Sequence, residues 1–212
     1  MVLSGRLETI VSALDETDVF ADVGCDHGYC SREMLKRGKC RFAYLTDLSA
    51  ESLKKADDLL KGEFAGRYRA LVANGLAGVP FADEVLIAGM GGEEMISILS
   101  AAPFSPEKLV LQPMKNAEKV RAYLIKHGYK PIIDYTFADG KFYDLIKAER
   151  GTCSYSEDEL RFGRDNLLRR GEDFVRMIEG KIAVLTEALP KMSEEEKEKT
   201  KKTIRKYKEV IA

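Results

Sequence analysis

The sequence predicts an α/β protein: a doubly wound, mostly parallel seven-stranded sheet covered by helices, followed by a helical tail. Three observations carry that prediction. Five short runs, at residues 19–23, 42–46, 70–73, 85–88 and 109–112, alternate with helix signals; the first four end against Gly24, Asp47, Asn74 and Gly89, and the fifth ends in Gln112. Such alternation selects βαβ units and a parallel sheet. The first run passes through Gly24 and Gly28 into a segment that reads as a helix from Tyr29, the kind of junction where open α/β sheets bring a ligand onto free backbone N–H groups. Finally, Asp139-Gly140 lies between apolar runs at 132–137 and 142–146, a hairpin signal that closes the sheet with an antiparallel pair.

The remaining elements follow from spacing and caps. Leu3, Leu7, Ile10, Val11 and Leu14 recur at helical intervals, so the chain opens on an amphipathic helix, with Arg6 off its apolar stripe. A helix over 29–37 stops at Gly38, and Ser49 caps another carrying Leu53, Ala56, Leu59 and Leu60 up to Gly62. Glu93 and Glu94 open a helix after the Gly89-Met-Gly-Gly92 turn, and residues 117–127 form one that Gly128 stops. Beyond the hairpin, Leu160, Leu167, Phe174, Ile178, Leu185 and Leu189 keep steps of seven or four. That spacing predicts one helix of some 30 residues with a narrow seam, ended by Pro190. Ser193 with Glu196 makes a capping box for a second helix anchored by Ile204, Tyr207 and Ile211. The tail is thus expected to be an antiparallel coiled-coil hairpin over residues 153–212, beside a sheet domain over 1–152.

Composition narrows the function. No apolar run approaches the roughly 18 residues of a membrane span, and the N-terminus does not read as a signal peptide, so a cytoplasmic protein is expected. Cys25, Cys30, Cys40 and Cys153 form no C-x-x-C pair and there are two histidines, which disfavours a metal site or a disulfide framework. Residues 1–160 hold 20 Lys/Arg against 25 Asp/Glu, whereas 161–212 hold 14 against 10, a basic tail on an acidic body. Such a tail suits an anionic partner or is simply a solvated face.

At the first glycine turn, Asp26 and His27 stand between Gly24 and Gly28, so the G-x-G-x-x-G pyrophosphate cradle is absent and a dinucleotide is disfavoured. Asp47 closes the second strand about 20 residues beyond that turn, where such folds bind the two hydroxyls of a ribose. Asp22 with Gly24 and Gly28 resembles motif I of the class I S-adenosylmethionine methyltransferases, a Rossmann-like fold. In that class an Asp or Asn at the third strand end, here Asn74, commonly lies beside the cofactor's adenine. Many amino-group methyltransferases carry Asn/Asp-Pro-Pro-aromatic after the fourth strand; Ala88-Gly-Met-Gly-Gly92 stands there instead, which argues against exocyclic amino methylation.

Taken together, Leu3-Ser4 with Arg6-Leu7, Ala21-Asp-Val-Gly-Cys-Asp-His27, Asn74-Gly-Leu76, Ile87-Ala-Gly-Met-Gly-Gly92, Leu109-Val-Leu-Gln-Pro113 and Asp139-Gly-Lys-Phe-Tyr143 resemble the bacterial tRNA adenine-N1 methyltransferases that act on position 22. The likeness spans residues 3–146, and the family's coiled-coil tail matches the C-terminal region in kind. Two departures stand out: Asn74 where the family has Asp before Gly75, and Met114 where it often has Asn. Asn still reaches an adenine edge.

The resemblance implies S-adenosyl-L-methionine held by Asp22, Gly24, Asp47, Leu48, Asn74, Gly75, Ala88 and Gly89. Asp26, His27 and Tyr29 would meet the target base. Arg6, Gly91, Gly92, Gln112, Lys141, Arg164, Arg169 and Arg170 would meet tRNA, with no metal, in a monomer or a dimer through the coil. Each polar candidate has a plain alternative: Asp26 as a helix cap, His27 as a loop hydrogen bond, Tyr29 as packing, Asn74 as a turn cap, and Gln112, Lys141 and the arginines as solvated side chains. Adenine N1 carries a lone pair in the neutral base, so attack on a sulfonium methyl needs positioning more than deprotonation. N1 lies on the pairing edge, so the base must be extruded. The rival readings are a small-molecule methyltransferase and a non-enzymatic coiled-coil adaptor.

Overall fold

The computed structural model describes residues 3–212. Its sheet is built from β1 (Thr17–Val23), β2 (Cys40–Asp47), β3 (Tyr68–Val72), β4 (Glu84–Ala88), β5 (Lys108–Gln112), β6 (Tyr129–Asp139) and β7 (Lys141–Arg150). The strands lie in the order β3-β2-β1-β4-β5-β7-β6. The first five are parallel and the last two antiparallel, as expected, with Asp139 paired to Lys141 around Gly140. Strand order reverses between β1 and β4, which opens a crevice at their carboxyl ends.

The period-two alternation of the strands feeds two cores. Phe20, Leu45, Leu86 and Val110 pack under α1 (Gly5–Ala13), α2 (Tyr29–Lys36) and α3 (Ala50–Leu60), joined by Ile10, Val11, Met34, Leu53 and Leu60. Ala21, Val85, Ile87 and Leu109 face α4 (Gly92–Ser100) and α5 (Ala117–Lys126) through Met95, Val120 and Leu124. Ser4 caps α1 and Ser49 caps α3, each accepting a backbone N–H.

The long tail helix is not continuous. Its residues form α6 (Glu157–Phe162), α7 (Arg164–Arg169) and α8 (Glu172–Ala188), broken at Gly163 (φ +87°) and at Arg170 (φ +46°) before Gly171. Pro190 sits in a short 3₁₀ turn, and the hairpin is made by α8 with α9 (Glu194–Ile211), whose Ser193–Glu196 capping box forms as read. The breaks are set by the edge strand. Gly163 lies against β6 so closely that a Cβ would fall 2.9 Å from Asp134 Oδ1. The outward N–H groups of Asp134, Thr136 and Ala138 donate to Asp165, Asn166 and Asp173 at 2.8–2.9 Å. Tail side chains thereby cover every second N–H of an edge that would otherwise be open to pairing. The tail core is Phe162, Phe174, Ile178 and Val210, with Tyr207 and Ile211 packed on it. Leu160, Leu185, Leu189 and Ile204 from the expected seam lie outside it.

At the amino end of the central strand β4, Glu84 is fully buried. Its Oε2 accepts the Asp15 N–H at 3.0 Å, while Oε1 has no hydrogen-bond partner and lies 3.9 Å from Lys147 Nζ. Burial outweighs the lysine and raises the carboxyl from 4.5 to about 7. The folded chain therefore keeps a proton that the unfolded chain releases, so this contribution to stability is whole below pH 4.5 and lost as pH rises through about 7. Denaturant unfolding should show stability falling over that window, and Glu84→Gln should flatten it; a slope unaltered by the substitution would clear Glu84.

Candidate active site

After β1 the chain turns at Gly24 (φ +66°) and again at Gly28 (φ +71°) before α2. Both conformations are open to glycine at no steric cost. Space is short at each. A Cβ on Gly24 would fall 2.0 Å from Met90 Cε, and one on Gly28 would fall 2.9 Å from Ala56 Cβ. Asp26 between them is held at φ +48°, with its N–H on Asp47 Oδ2 at 3.1 Å and its Oδ1 3.5 Å from Ser52 Oγ. Its other oxygen lies 2.7 Å from His27 Nδ1, and the His27 ring stacks on Tyr29 with centroids 5.4 Å apart. Asp26, His27 and Tyr29 therefore form one array.

That array stands at the mouth of a crevice of about 470 Å³ between the ends of β1 and β4, walled by Asp22, Gly24, Leu86, Ala88, Gly89, Met90 and Arg6. Asp22 is buried and accepts the Ser31 hydroxyl at 2.7 Å. Burial, aided by Asp47, raises its carboxyl to about 6 against the Ser31 hydrogen bonds. Asp47 ends β2 with its Oδ1 on the Ser49 N–H at 2.8 Å. Leu48 beside it is 69% exposed, an apolar surface with no protein cover. Asn74 is exposed beyond β3. Asp22, Asp47 and Asn74 thus stand at the carboxyl ends of three adjacent strands.

The array and this strand-end row come together as read from the sequence; other candidates do not. Gly75 (φ +61°) is buried against α4, where a Cβ would lie 2.7 Å from Ile98, so packing accounts for it. Gly92 touches the backbone of the loop after β5: its N–H donates to Lys115 O at 2.9 Å, and a Cβ would fall 2.6 Å from Asn116 O. Gly91 lies under the Lys115 side chain. Gln112 is neither solvated nor open to a phosphate, because it is fully buried and its Oε1 accepts Arg6 Nε at 2.7 Å. Arg6 consequently points into the crevice, 5.5 Å from the Tyr143 ring, and not outward with the tail cations. Arg164 is half-buried, bonded to Glu159 at 2.6 Å and stacked 4.2 Å from Tyr155. It braces the tail. Lys141, Arg169 and Arg170 are exposed.

Met90 and Tyr143 were not singled out from sequence, although both lie within the quoted motifs. Burial beside Asp22 pushes the Cys25 and Cys30 thiols well above their usual range, so neither is a ready thiolate. Among the described residues no group of three or more His, Cys, Asp or Glu is placed to hold a metal. Among the described residues no helix is long and apolar enough to cross a membrane.

The donor set fits S-adenosylmethionine: a buried carboxyl for a cation, bare glycine backbone at the turn, a strand-end acid for ribose, and exposed Leu48 beside it for an adenine face. A methyltransferase-domain family matches residues 3–146. Fold, crevice and match define the class, an S-adenosylmethionine-dependent methyltransferase. Over 165 residues the chain is 30% identical to the tRNA (adenine(22)-N(1))-methyltransferase of Bacillus subtilis, covering 74% of this chain and 69% of that one. Streptococcus pneumoniae Sp1610 in complex with S-adenosyl-L-methionine superposes with a TM-score of 0.90 at 26% identity over both full chains. TrmK of M. capricolum, solved with S-adenosyl-homocysteine, shares the fold at TM-score 0.88 and 22% identity over both full chains. The chain belongs to the tRNA (adenine(22)-N1)-methyltransferase family.

Proposed function

We propose that this enzyme transfers a methyl group from S-adenosylmethionine to N1 of the adenine at position 22 of tRNA in the cytoplasm, acting as a monomer. Beyond the family relation, the observation that supports this reading most is the Asp26–His27–Tyr29 array, aligned and partly open at the crevice mouth. Asp22 and Gly24 take the methionine end, Asp47 the ribose hydroxyls, and Leu48 with Asn74 the adenine, while Ala88 and Gly89 border the sulfonium. The cofactor supplies an electrophilic methyl. His27 and Tyr29 orient the extruded base so that its N1 lone pair faces that methyl. Asp26 offers negative charge near a ring that becomes cationic on methylation, which favours the transition state. With the crevice thiols of Cys25 and Cys30 buried and held protonated, and no Asn/Asp-Pro-Pro-aromatic grip, neither carbon methylation through a thiolate adduct nor an exocyclic amine is served. Lys141, Arg169 and Arg170 remain exposed for phosphates, which give grip without sequence choice.

Transcripts with adenine at tRNA position 22 should accept methyl label and those with guanine there should not; equal labelling would contradict the site choice. Asp47→Ala should weaken cofactor binding by about 1–3 kcal/mol, since a charged acceptor for ribose hydroxyls is lost. Calorimetry reads this directly, and unchanged affinity would remove Asp47 from the cofactor site.

A further inference from the structure

We infer that the cleft between the tail and the catalytic end of the sheet seats an unpaired stretch of the RNA substrate, with a base on its apolar floor and phosphates on its rim. This rests on the tRNA methylation proposed above. The cleft measures about 520 Å³, within the roughly 300–1,000 Å³ of sites that enclose small organic groups. Its floor holds Met114 and Phe142, which are 49% and 40% exposed, large apolar side chains left at the surface. Its rim carries Lys115, Arg161 and Lys181, with the Arg161 guanidinium 5.4 Å from the Tyr207 ring.

Several neighbouring cations are already paired, although among the described residues Arg170, Lys191, Lys202, Arg205 and Lys208 of the tail, like the three at this rim, are not. Lys197, Lys199 and Lys201 each lie on a carboxylate of their own helix, and Lys119 and Lys206 are tied to Glu93 and Asp158. Among the described residues, Lys115, Arg161 and Lys181 have no carboxylate within ion-pairing distance. Of the two acids on the wall, Asp144 is already bonded to Arg121 and Thr136, which leaves Glu118. The cleft therefore presents net positive charge around aromatic surface, the combination that holds single-stranded nucleic acid through stacking and phosphate contacts.

The cleft also begins where the catalytic crevice ends. Met114 N–H donates to Met90 O at 2.8 Å, and Met90 walls the crevice. Lys115 packs on Gly91, with Cε 3.0 Å from where a Cβ would stand. Extruding the target base unstacks its neighbours, and chain leaving the crevice over residues 90–92 enters this cleft.

The test uses the intact enzyme with tRNA transcripts. Lys115→Ala with Lys181→Ala should weaken tRNA binding about tenfold and reduce the slope of log affinity against log salt by about 2, one unit per phosphate contact. Cofactor affinity should stay within about twofold by calorimetry. Phe142→Ala should raise KM for tRNA about tenfold with the salt slope intact, and Phe142→Trp should restore it, because every base offers a face to a ring. Wild-type affinity and slope in the double lysine variant, both sites being exposed, would overturn the proposal and leave the cleft to a protein partner. Recovery by Phe142→Leu as full as by Phe142→Trp would overturn base stacking. Failure of the wild-type enzyme to methylate tRNA would instead overturn the activity itself, which separates the two claims.

Discussion

Arg121→Ala should cost about 3–5 kcal/mol of folding stability, the range for breaking one side of a buried ion pair, and should loosen the tail from the sheet. Arg121 and Asp134 are each 1% exposed. Arg121 Nε bonds both Asp134 oxygens at 2.8 and 3.0 Å, Nη2 reaches Asp144 at 3.1 Å, and Nη1 reaches Leu160 O at 3.2 Å. Asp134 also accepts the Tyr155 hydroxyl and the Arg164 N–H, both at 3.1 Å. One guanidinium thus ties α5, β6, β7 and α6 together. Burial already pushes the Asp134 carboxyl up beside its partner, so removing the cation leaves the acid uncompensated. Urea unfolding should show the loss, and proteolysis between residues 152 and 171 should speed up. Arg121→Met with Asp134→Leu should recover much of the stability, because a buried pair is often matched by apolar packing. A loss below about 1 kcal/mol for Arg121→Ala would mean that the tail is held by its other contacts. For the same reason a chain ended near residue 152 is expected to be poorly stable, since it bares three N–H groups of β6.

His27→Ala should lower turnover about a hundredfold, the scale on which misplacing reacting groups acts, with cofactor affinity nearly unchanged. Asp26→Asn should act in the same direction through the lost negative charge beside the methylated ring. The reason lies in how the array is built. Asp26 is fixed by the Asp47 carboxylate and placed near Ser52, and it in turn sets His27, whose ring stacks on Tyr29. Neither side chain is buried, so folding should tolerate both changes. Stopped-flow methyl transfer and calorimetry on the same variants separate the two effects. An effect on affinity alone would place the pair around the cofactor.

The strands were legible because each is a short apolar run ending in a residue with a distinct job, and the two-residue alternation of Val85, Leu86 and Ile87 is what two covered faces require. The tail was legible only in part. Steps of seven and four from Leu160 to Leu189 look the same in one helix or three, and the breaks are imposed by Asp165, Asn166 and Asp173 reaching β6, partners about 30 residues away. Arg6 lies off the apolar stripe of α1, which left tRNA or solvent as its expected partner. Its face of the helix looks into the crevice, and a buried amide from a strand end holds it there. Gly75, expected at the cofactor, also sits where a Cβ would lie 2.7 Å from Ile98, a packing contact that no sequence pattern announces.

The central claim is tested most directly by the identity of the methylated nucleoside. Enzyme, S-adenosylmethionine and tRNA should yield 1-methyladenosine on digestion under mild, non-alkaline conditions and mass spectrometry, and that product should rearrange to the N6-methyl isomer in alkali. N6-methyladenosine already present under the mild conditions, or a methylated guanosine, would contradict attack by adenine N1.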